Sequence, residues 1–133
     1  MRSVLTTCGY CGCGCNMYYL EQDGGIVSVS PKADHPVSRG KLCIKGWTGH
    51  GFVRHPDRLT QPRLRDANGT RPVSWDEAIS YTAARLREIA EEYGAGSIGV
   101  LSSARCTNEE NYLMARFARA AIGTPNIDHC ARL

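Results

Sequence analysis

The sequence predicts a mixed fold, α+β followed by α/β, in two parts: a small β-rich domain over residues 1–57 and the first part of an α/β domain with a parallel sheet over residues 58–133. Two observations predict this. Four cysteines fall within eight positions near the start of the chain, beside two short segments rich in β-branched and aromatic residues. Helical, apolar strand and helical patterns then follow in that order, which indicates an α/β layer.

The composition excludes several classes of function. The formal net charge is only +3, acidic residues are spread along the chain, and no nucleic-acid motif is recognisable, so nucleic acid is not a predicted partner. The longest apolar run is far shorter than the roughly 20 residues needed to cross a bilayer, so no membrane span is predicted. The start MRSVLTTCGY has neither the apolar core nor the twin arginines of an export signal, which predicts a cytoplasmic protein.

The number and setting of the cysteines favour metal binding. There are seven, an odd number that a closed disulfide framework would leave with one unpaired thiol. In a cytoplasmic protein, closely spaced cysteines indicate metal or redox chemistry. The seven are Cys8, Cys11, Cys13, Cys15, Cys43, Cys106 and Cys130.

The spacing indicates which metal centre to expect. Cys8, Cys11, Cys15 and Cys43 give the pattern C-x2-C-x3-C-x27-C, with three thiols in one tight loop and a fourth from a distant segment. A cubane iron–sulfur cluster needs four thiolates, each bound to one iron corner. Glycines between the clustered cysteines permit the backbone dihedrals of a loop that wraps a cluster. The pattern therefore predicts a 4Fe-4S cluster.

Two alternatives to this assignment are open. Structural zinc also takes four cysteines, but it usually takes them from two C-x2-C pairs, and Cys43 has no cysteine two to four residues away. Any three of the four clustered thiols are possible ligands. Because Cys13 is one residue from both Cys11 and Cys15, ligation by all three together would be strained, and we interpret Cys13 as a spare thiol.

Local patterns predict the elements of the first part. Segments 16–22 and 25–31 are β-type and are joined across an Asp-Gly-Gly sequence, a strong hairpin signal. Segment 43–55, CIKGWTGHGFVRH, is expected to form a short helix despite its glycines. Trp47 and Phe52 in this segment are expected to lie in the core rather than to contact a cofactor.

The second part begins with extended segments around Asn68-Gly69. Ser74 and Glu77 then have the spacing of a helix capping box, as do Thr107 and Glu110 further on. The first helix is expected to end at Gly94 and the second at about Ile122, and the apolar run 97–103 between them is expected to form a buried parallel strand. The apolar stripe of the first helix comprises Ile79, Ala83, Leu86, Ile89 and Tyr93.

Several motifs together resemble one protein family. The stretches CGYCGCGC, LCIKG, PVSWDEAI, SSARCTNEENY and FARAAIGTPNIDHCAR occur in this order and cover essentially the whole chain. They resemble the N-terminal part of the molybdopterin oxidoreductases, most closely the catalytic subunit of molybdenum- or tungsten-dependent formate dehydrogenases. The resemblance implies a 4Fe-4S domain followed by the start of an α/β domain that helps to hold a bis-molybdopterin guanine dinucleotide.

The resemblance also implies roles for individual residues. The four cysteines of the spaced pattern would ligate the cluster, and Lys45 would lie between the cluster and the pterin, where its charge lowers the cost of placing an electron on either centre. Arg105, Asn108 and Asn111, in a loop that opens a helix after a strand, are candidates for the pterin side. The alternative is that the two asparagines only serve the start of the helix. Cys106 is read as incidental, and the His129-Cys130 segment as close to the active site without ligating the metal.

The end of the sequence carries a further expectation. In formate dehydrogenases of this kind, the cysteine or selenocysteine that ligates the metal directly follows a triplet that matches Ala131-Arg132-Leu133 here. We therefore expect no catalytic residue within the chain, and no formate oxidation by the 133 residues alone. Because UGA encodes selenocysteine, reading that codon as a stop would truncate a selenoprotein at this position.

The resemblance implies two partners, namely the remainder of the catalytic subunit and an electron-transfer iron–sulfur subunit. The reaction of the whole enzyme would be the interconversion of formate and carbon dioxide, with electrons leaving through the cluster. The alternative function is a stand-alone or split-subunit 4Fe-4S electron-transfer protein.

Overall fold

A computed structural model of the chain describes residues 1–130, which form two compact units. Of the described residues, unit 1 comprises Met1–His55, Ser102–Met114 and residues 129–130, and unit 2 comprises Pro56–Leu101 and Ala115–Asp128. The predicted division after residue 57 lies close to the first change of unit. The sequence did not indicate that Ser102–Met114 belongs with unit 1, because that association depends on contacts between distant residues.

Unit 1 contains a three-stranded antiparallel sheet in the order β1, β2, β3, with β1 at Arg2–Thr7, β2 at Asn16–Gln22 and β3 at Gly25–Pro31. The predicted hairpin of β2 and β3 is confirmed. Its two connecting residues, Asp23 and Gly24, both have positive φ, at 52° and 72°, as a tight hairpin turn with matching twist requires. Strand β1 was not predicted.

The core of unit 1 lies on one face of this sheet. Met17 on β2 is 2% exposed, Val29 on β3 is 6% exposed, and they pack with the buried Cys8. Tyr19 and Leu42 are among the partly buried side chains around them. The hydrophobic core therefore continues directly into the cysteine loop.

The helix predicted in segment 43–55 is present as helix α1, Ile44–Thr48, followed by a 3-10 helix, Gly49–Arg54. The prediction that Trp47 and Phe52 are core residues was wrong, since they are 43% and 62% exposed. Only Gly46 of α1 is buried, and a β-carbon there would lie 3.2 Å from Leu42. Because the helix makes its close approach through a glycine, its large side chains face outward.

Unit 2 begins with the predicted hairpin, formed by β4 at Arg63–Asp66 and β5 at Gly69–Pro72, followed by helix α2 at Trp75–Tyr93. The hydroxyl of Ser74 accepts a hydrogen bond from the Glu77 backbone N–H at 3.1 Å, as predicted. The Glu77 carboxylate pairs with Arg71 at 2.5 Å, and among the described contacts it accepts no hydrogen bond from the Ser74 N–H. No residue of α2 is fully buried: within the predicted stripe, Ile79 and Tyr93 are exposed, and Ala83, Leu86 and Ile89 are half-buried.

Replacing Ser74 by alanine is expected to lower the free energy of unfolding by about 1 kcal/mol, because the Glu77 N–H loses its cap. Urea unfolding followed by circular dichroism measures the change. Ser80→Ala, at an exposed position inside α2, is the matched control and should change stability little. Equal stability of the two variants would contradict the capping role.

The remaining elements are a 3-10 helix at Ala95–Ser97, strand β6 at Val100–Ser103, helix α3 at Asn108–Arg116 with a π-helical continuation at Phe117–Ile122, and strand β7 at Ile127–Cys130. Strands β6 and β7 are hydrogen-bonded neighbours. The start of β6 is three residues later than the apolar run predicted, and its parallel orientation stays a prediction.

The second capping box is formed in full. The hydroxyl of Thr107 accepts from the Glu110 N–H at 3.2 Å, and the Glu110 carboxylate accepts from the Thr107 N–H at 2.7 Å. The helical segment ends at Gly123, whose φ of 84° lies in the left-handed region. Both the start and the end of this segment therefore agree with the prediction.

Over residues 1–130, no helix combines the length and the apolar character needed to cross a membrane.

Candidate metal centre

Five cysteines line one cavity of about 490 Å³ in unit 1. They are Cys8, Cys11, Cys13, Cys15 and Cys43. All four predicted ligands thus meet around one space, although the last is far from the other three in sequence. The volume is within the roughly 300–1,000 Å³ usual for small-molecule and cofactor sites.

The sheet determines the shape of the cysteine loop. Strands β1 and β2 pair up to Thr7 and Asn16, and the Cys8 N–H donates to the Cys15 carbonyl at 2.8 Å one step further. Residues 8–15 are therefore a closed loop at the end of two paired strands. Gly14 in this loop has a φ of 62°, a conformation that side chains other than glycine rarely adopt.

Cys43 reaches the cavity from the start of helix α1. Its thiol has a pKa below the usual value, chiefly because the backbone N–H groups of Gly46 and Lys45 hydrogen-bond to the sulfur, with a smaller contribution from the Lys45 charge. The thiolate form is the one that binds metal. The local backbone therefore favours the thiolate form of Cys43.

The thiol of Cys15, unlike that of Cys43, loses its proton less readily than an ordinary cysteine. Its pKa is raised to about 11, first by burial, then by a hydrogen bond with Cys13 and by the negative charges of the neighbouring cysteines. The two sulfur atoms lie 3.6 Å apart. Burial and neighbouring thiols thus favour the protonated form of Cys15, so binding of a metal ion to its thiolate would release a proton.

The segment before Cys43 is held by a histidine. The buried Ser38, which lines the cavity, donates its backbone N–H to the Nδ1 atom of His35 at 3.1 Å, and the Ser38 hydroxyl lies 2.9 Å from the same atom. Because the backbone N–H can only donate, Nδ1 of His35 is the acceptor of this hydrogen bond. This support was not predicted, because it depends on loop geometry.

Lys45, the predicted electron relay, lies with its Nζ atom 5.5 Å from the centre of the Tyr10 ring, a distance typical of cation–π contacts. Tyr10 itself lines the cavity. Lys41 also lines the cavity and was not singled out from the sequence. Two lysines therefore lie close to the thiols, Lys41 in the wall and Lys45 beside Tyr10.

Asn108 contacts the cysteine loop. Its side-chain amide donates to the carbonyl of Gly12 at 2.9 Å, across 96 residues of sequence. A β-carbon at position 12 would lie only 2.5 Å from the Asn108 Oδ1 atom. Glycine at this position therefore allows the asparagine to approach the loop closely.

The other two predicted pterin-side residues lie in the same part of the chain. Asn111 donates its amide to the Thr107 carbonyl at 3.1 Å and accepts a hydrogen bond from the Ser102 hydroxyl. The Arg105 backbone N–H donates to the Ser103 hydroxyl at 3.0 Å, and the Arg105 residue is exposed. Asn111 thus supports the start of α3, and the predicted pterin-side roles of all three residues stay predictions.

The remaining cysteines lie outside this cavity. Cys130 is exposed, and its pKa is lowered chiefly by a hydrogen bond with Ser103, 3.4 Å from its sulfur, and further by the Ala104 N–H and the Arg105 charge. Cys106 is half-buried. The triplet 131–133, on which the expectation of an adjacent metal ligand rests, lies outside the described residues.

The donor set fits an iron–sulfur cluster. Soft thiolates are the ligands of such clusters, and four of them, each on a different iron atom, are needed around a space rather than around a point. Among residues 1–130, no three His, Cys, Asp or Glu side chains are placed to hold one metal ion.

Replacing Asn108 by alanine removes the hydrogen bond to the Gly12 carbonyl and should loosen the cysteine loop. A hydrogen bond of this kind contributes about 1 kcal/mol, so loss of iron from the loaded chain to a chelator should be several times faster. Glu109→Ala, at the neighbouring exposed position, is the control. Unchanged iron loss in Asn108→Ala would show that this contact does not hold the loop.

A thiol-lined cavity on a small antiparallel sheet defines a protein that binds a metal centre through cysteine. Two family models identify the group. Residues 1–55 match the Molybdopterin oxidoreductase Fe4S4 domain, and residues 58–133 match Molybdopterin oxidoreductase. The chain belongs to the molybdopterin oxidoreductase family, which confirms the predicted resemblance and agrees with the predicted 4Fe-4S and molybdopterin cofactors.

Sequence relatives indicate a group within this family to which the chain is similar. The chain is 43% identical over 132 residues to the F420-dependent formate dehydrogenase subunit alpha of Methanocaldococcus jannaschii, covering 99% of this chain and 19% of that subunit. It is 45% identical over 130 residues to the F420-dependent formate dehydrogenase 1 subunit alpha of Methanococcus maripaludis, covering 98% of this chain and 19% of that subunit. The chain thus matches the N-terminal iron–sulfur and molybdopterin region of formate dehydrogenase alpha subunits and spans about a fifth of their length.

A solved structure shares the fold. Acetylene hydratase from Pelobacter acetylenicus superposes with a TM-score of 0.71 over 94% of this chain and 18% of that protein, at 23% identity. The fold of this chain is therefore shared with part of that solved structure.

Proposed function

We propose that this chain supplies the iron–sulfur relay and the first pterin-side residues of a formate dehydrogenase alpha subunit, and that four cysteines ligate the 4Fe-4S cluster. The observation that carries the proposal is the single cavity that brings these thiols together. The proposed ligands are Cys8, Cys11, Cys15 and Cys43.

The four thiols differ in how they are held. Cys8 is buried in the core and Cys11 and Cys15 are half-buried in the loop, whereas Cys43 is exposed at the start of α1. Three ligands are thus fixed by the sheet and the fourth by a helix. A cluster bound to all four links the loop to α1 and stabilises unit 1, because a site of this kind exists only in the folded chain.

Lys45 is proposed to assist electron transfer through its charge. A positive charge near the cluster stabilises the reduced state, so removing it should lower the reduction potential. We expect Lys45→Gln to lower the potential by on the order of tens of millivolts, since solvent screens part of the interaction. Spectroelectrochemical titration of the loaded chain measures the shift.

The control for this variant is Lys32→Gln, because Lys32 is already paired with Asp34. It should leave the potential nearly unchanged. An equal shift in both variants would indicate an effect of net charge only, and no shift in Lys45→Gln would contradict a relay role for this residue.

Formate is the proposed substrate of the whole enzyme, because the relatives that match nearly the full chain include formate dehydrogenases. A molybdenum or tungsten bis-molybdopterin guanine dinucleotide supplies the two-electron chemistry when bound. Arg105, Asn108 and Asn111 are proposed to face it. The proposed partners are the remainder of the subunit and an electron-transfer iron–sulfur subunit, in the cytoplasm.

The proposal predicts the behaviour of the chain on its own. After anaerobic reconstitution with iron and sulfide, it should become brown, contain iron and acid-labile sulfide in equal amounts, and bleach on reduction. A colourless chain that retains zinc in preference to iron would contradict it. Because the chain spans 19% of the length of its relatives, we also propose that it does not oxidise formate unaided.

A further inference from the structure

The cavity of unit 1 holds one thiol more than a cluster needs. We propose that Cys13 is a reserve ligand, able to take the place of Cys15 on the same iron atom. This inference rests on the proposed function, since it presupposes that the cavity holds a 4Fe-4S cluster. It assigns a use to the cysteine that the C-x2-C-x3-C-x27-C pattern leaves over.

Distance is the first argument. The sulfur atoms of Cys13 and Cys15 lie 3.6 Å apart, about the contact distance of two sulfur atoms, and both residues line the cavity. The Cys13 sulfur therefore has to move 3.6 Å, the diameter of about one sulfur atom, to reach the position of the Cys15 sulfur. No strand or helix has to shift, because both residues are within the loop.

The backbone around Cys13 permits this movement. The loop is fixed at its base, where the Cys8 N–H binds the Cys15 carbonyl, and at Gly12, whose carbonyl accepts from Asn108. At Gly14 a β-carbon would meet no atom within 4 Å, and the Gly14 N–H donates to the Cys11 carbonyl at the longer distance of 3.4 Å. Cys13 thus lies between a held glycine and an uncrowded one, and rotation about the Gly14 backbone can bring its sulfur, which already lines the cavity, to the position of the Cys15 sulfur.

The exchange is balanced in charge and in electrons. Exchange would break the bond from one iron to the Cys15 sulfur and form a bond from the same iron to the Cys13 sulfur. The Cys13 thiol would give up its proton, and the released Cys15 thiolate would take one up. No oxidant or reductant would be required, and the iron would have one thiolate ligand at this corner before and after the exchange.

The experiment compares serine variants of the full chain after anaerobic reconstitution, with iron, sulfide and the electron paramagnetic resonance spectrum of the reduced cluster as readouts. We expect Cys13→Ser to match the unaltered chain. Cys15→Ser should keep nearly the same iron content with an altered spectrum, because the replacing ligand approaches from another direction. The double variant should lose most of its iron. Cys106→Ser, outside the cavity, is the control for the loss of any cysteine.

A second readout identifies the bound thiol directly. Alkylation of loaded chains followed by peptide mass spectrometry should modify Cys13 in the unaltered chain and leave it protected in Cys15→Ser. Loss of iron in Cys15→Ser, whether or not that variant folds, overturns the reserve role, as does loss in Cys13→Ser alone. Failure of the unaltered chain to hold a cluster would instead contradict the proposed function, so the two failures are distinguishable.

Discussion

Replacing Cys8 by serine is expected to abolish cluster binding. Cys8 is 8% exposed, packs with Met17 and Val29 in the core, and is fixed to the Cys15 carbonyl through its backbone. A serine hydroxyl is a poor replacement for a soft thiolate on iron. The reserve thiol proposed at Cys13 should not rescue this variant, because its sulfur lies against Cys15.

Iron and acid-labile sulfide per chain, measured after anaerobic reconstitution, test this expectation. Cys106→Ser is the matched control, since it removes a half-buried cysteine that does not line the cavity, and it should bind the full amount. Circular dichroism of the unloaded chains establishes that both variants fold. A Cys8→Ser chain with unaltered iron content would remove Cys8 from the ligand set.

Replacing Met17 by alanine should destabilise unit 1 by about 2–5 kcal/mol, the range for truncating a large buried side chain to alanine. Met17 is 2% exposed at the centre of the core beneath the cysteine loop. The cavity left behind lies among Cys8 and Val29, so the variant should also hold its cluster less firmly.

Hydrogen exchange of the amides in β2 and β3 measures this loss locally, because exchange reports the free energy of opening of each element. Two variants on β3 serve as references for this loss of protection. Val29→Ala, at a position 6% exposed, should lose protection by about 1–2 kcal/mol, whereas Val27→Ala, at a position 52% exposed, should change little. Equal protection in Met17→Ala and Val27→Ala would show that the core does not support the loop.

Local chemistry explains why some elements could be predicted. The turn at Asp23-Gly24 needs two residues with positive φ, and few sequences satisfy that need. The pair Thr107 and Glu110 specifies a helix start through two reciprocal hydrogen bonds. Signals of this kind are complete within a few residues, so they can be read before the fold is known.

Other features depend on distant partners and were missed. Strand β1 is a strand because its register pairs Leu5 with Tyr18 on β2, and its six residues carry no turn or cap of their own. The exposure of Trp47 follows from the close approach of Gly46 to Leu42. The contact of Asn108 with Gly12 spans 96 residues. None of these facts is contained in a local pattern.

Some features of the candidate site could likewise be predicted from the sequence, and others could not. Spacing indicated the four proposed ligands, and the structure adds their common cavity. The contact between the Cys13 and Cys15 sulfur atoms and the support of Ser38 by His35 depend on side-chain placement and could not be read from spacing.

The measurement that tests the central claim most directly is native mass spectrometry of the chain after anaerobic reconstitution with iron and sulfide, in the presence of competing zinc. The account predicts one species whose mass exceeds that of the polypeptide by four iron and four sulfide ions. A species carrying a single zinc ion, or iron without sulfide, would contradict it.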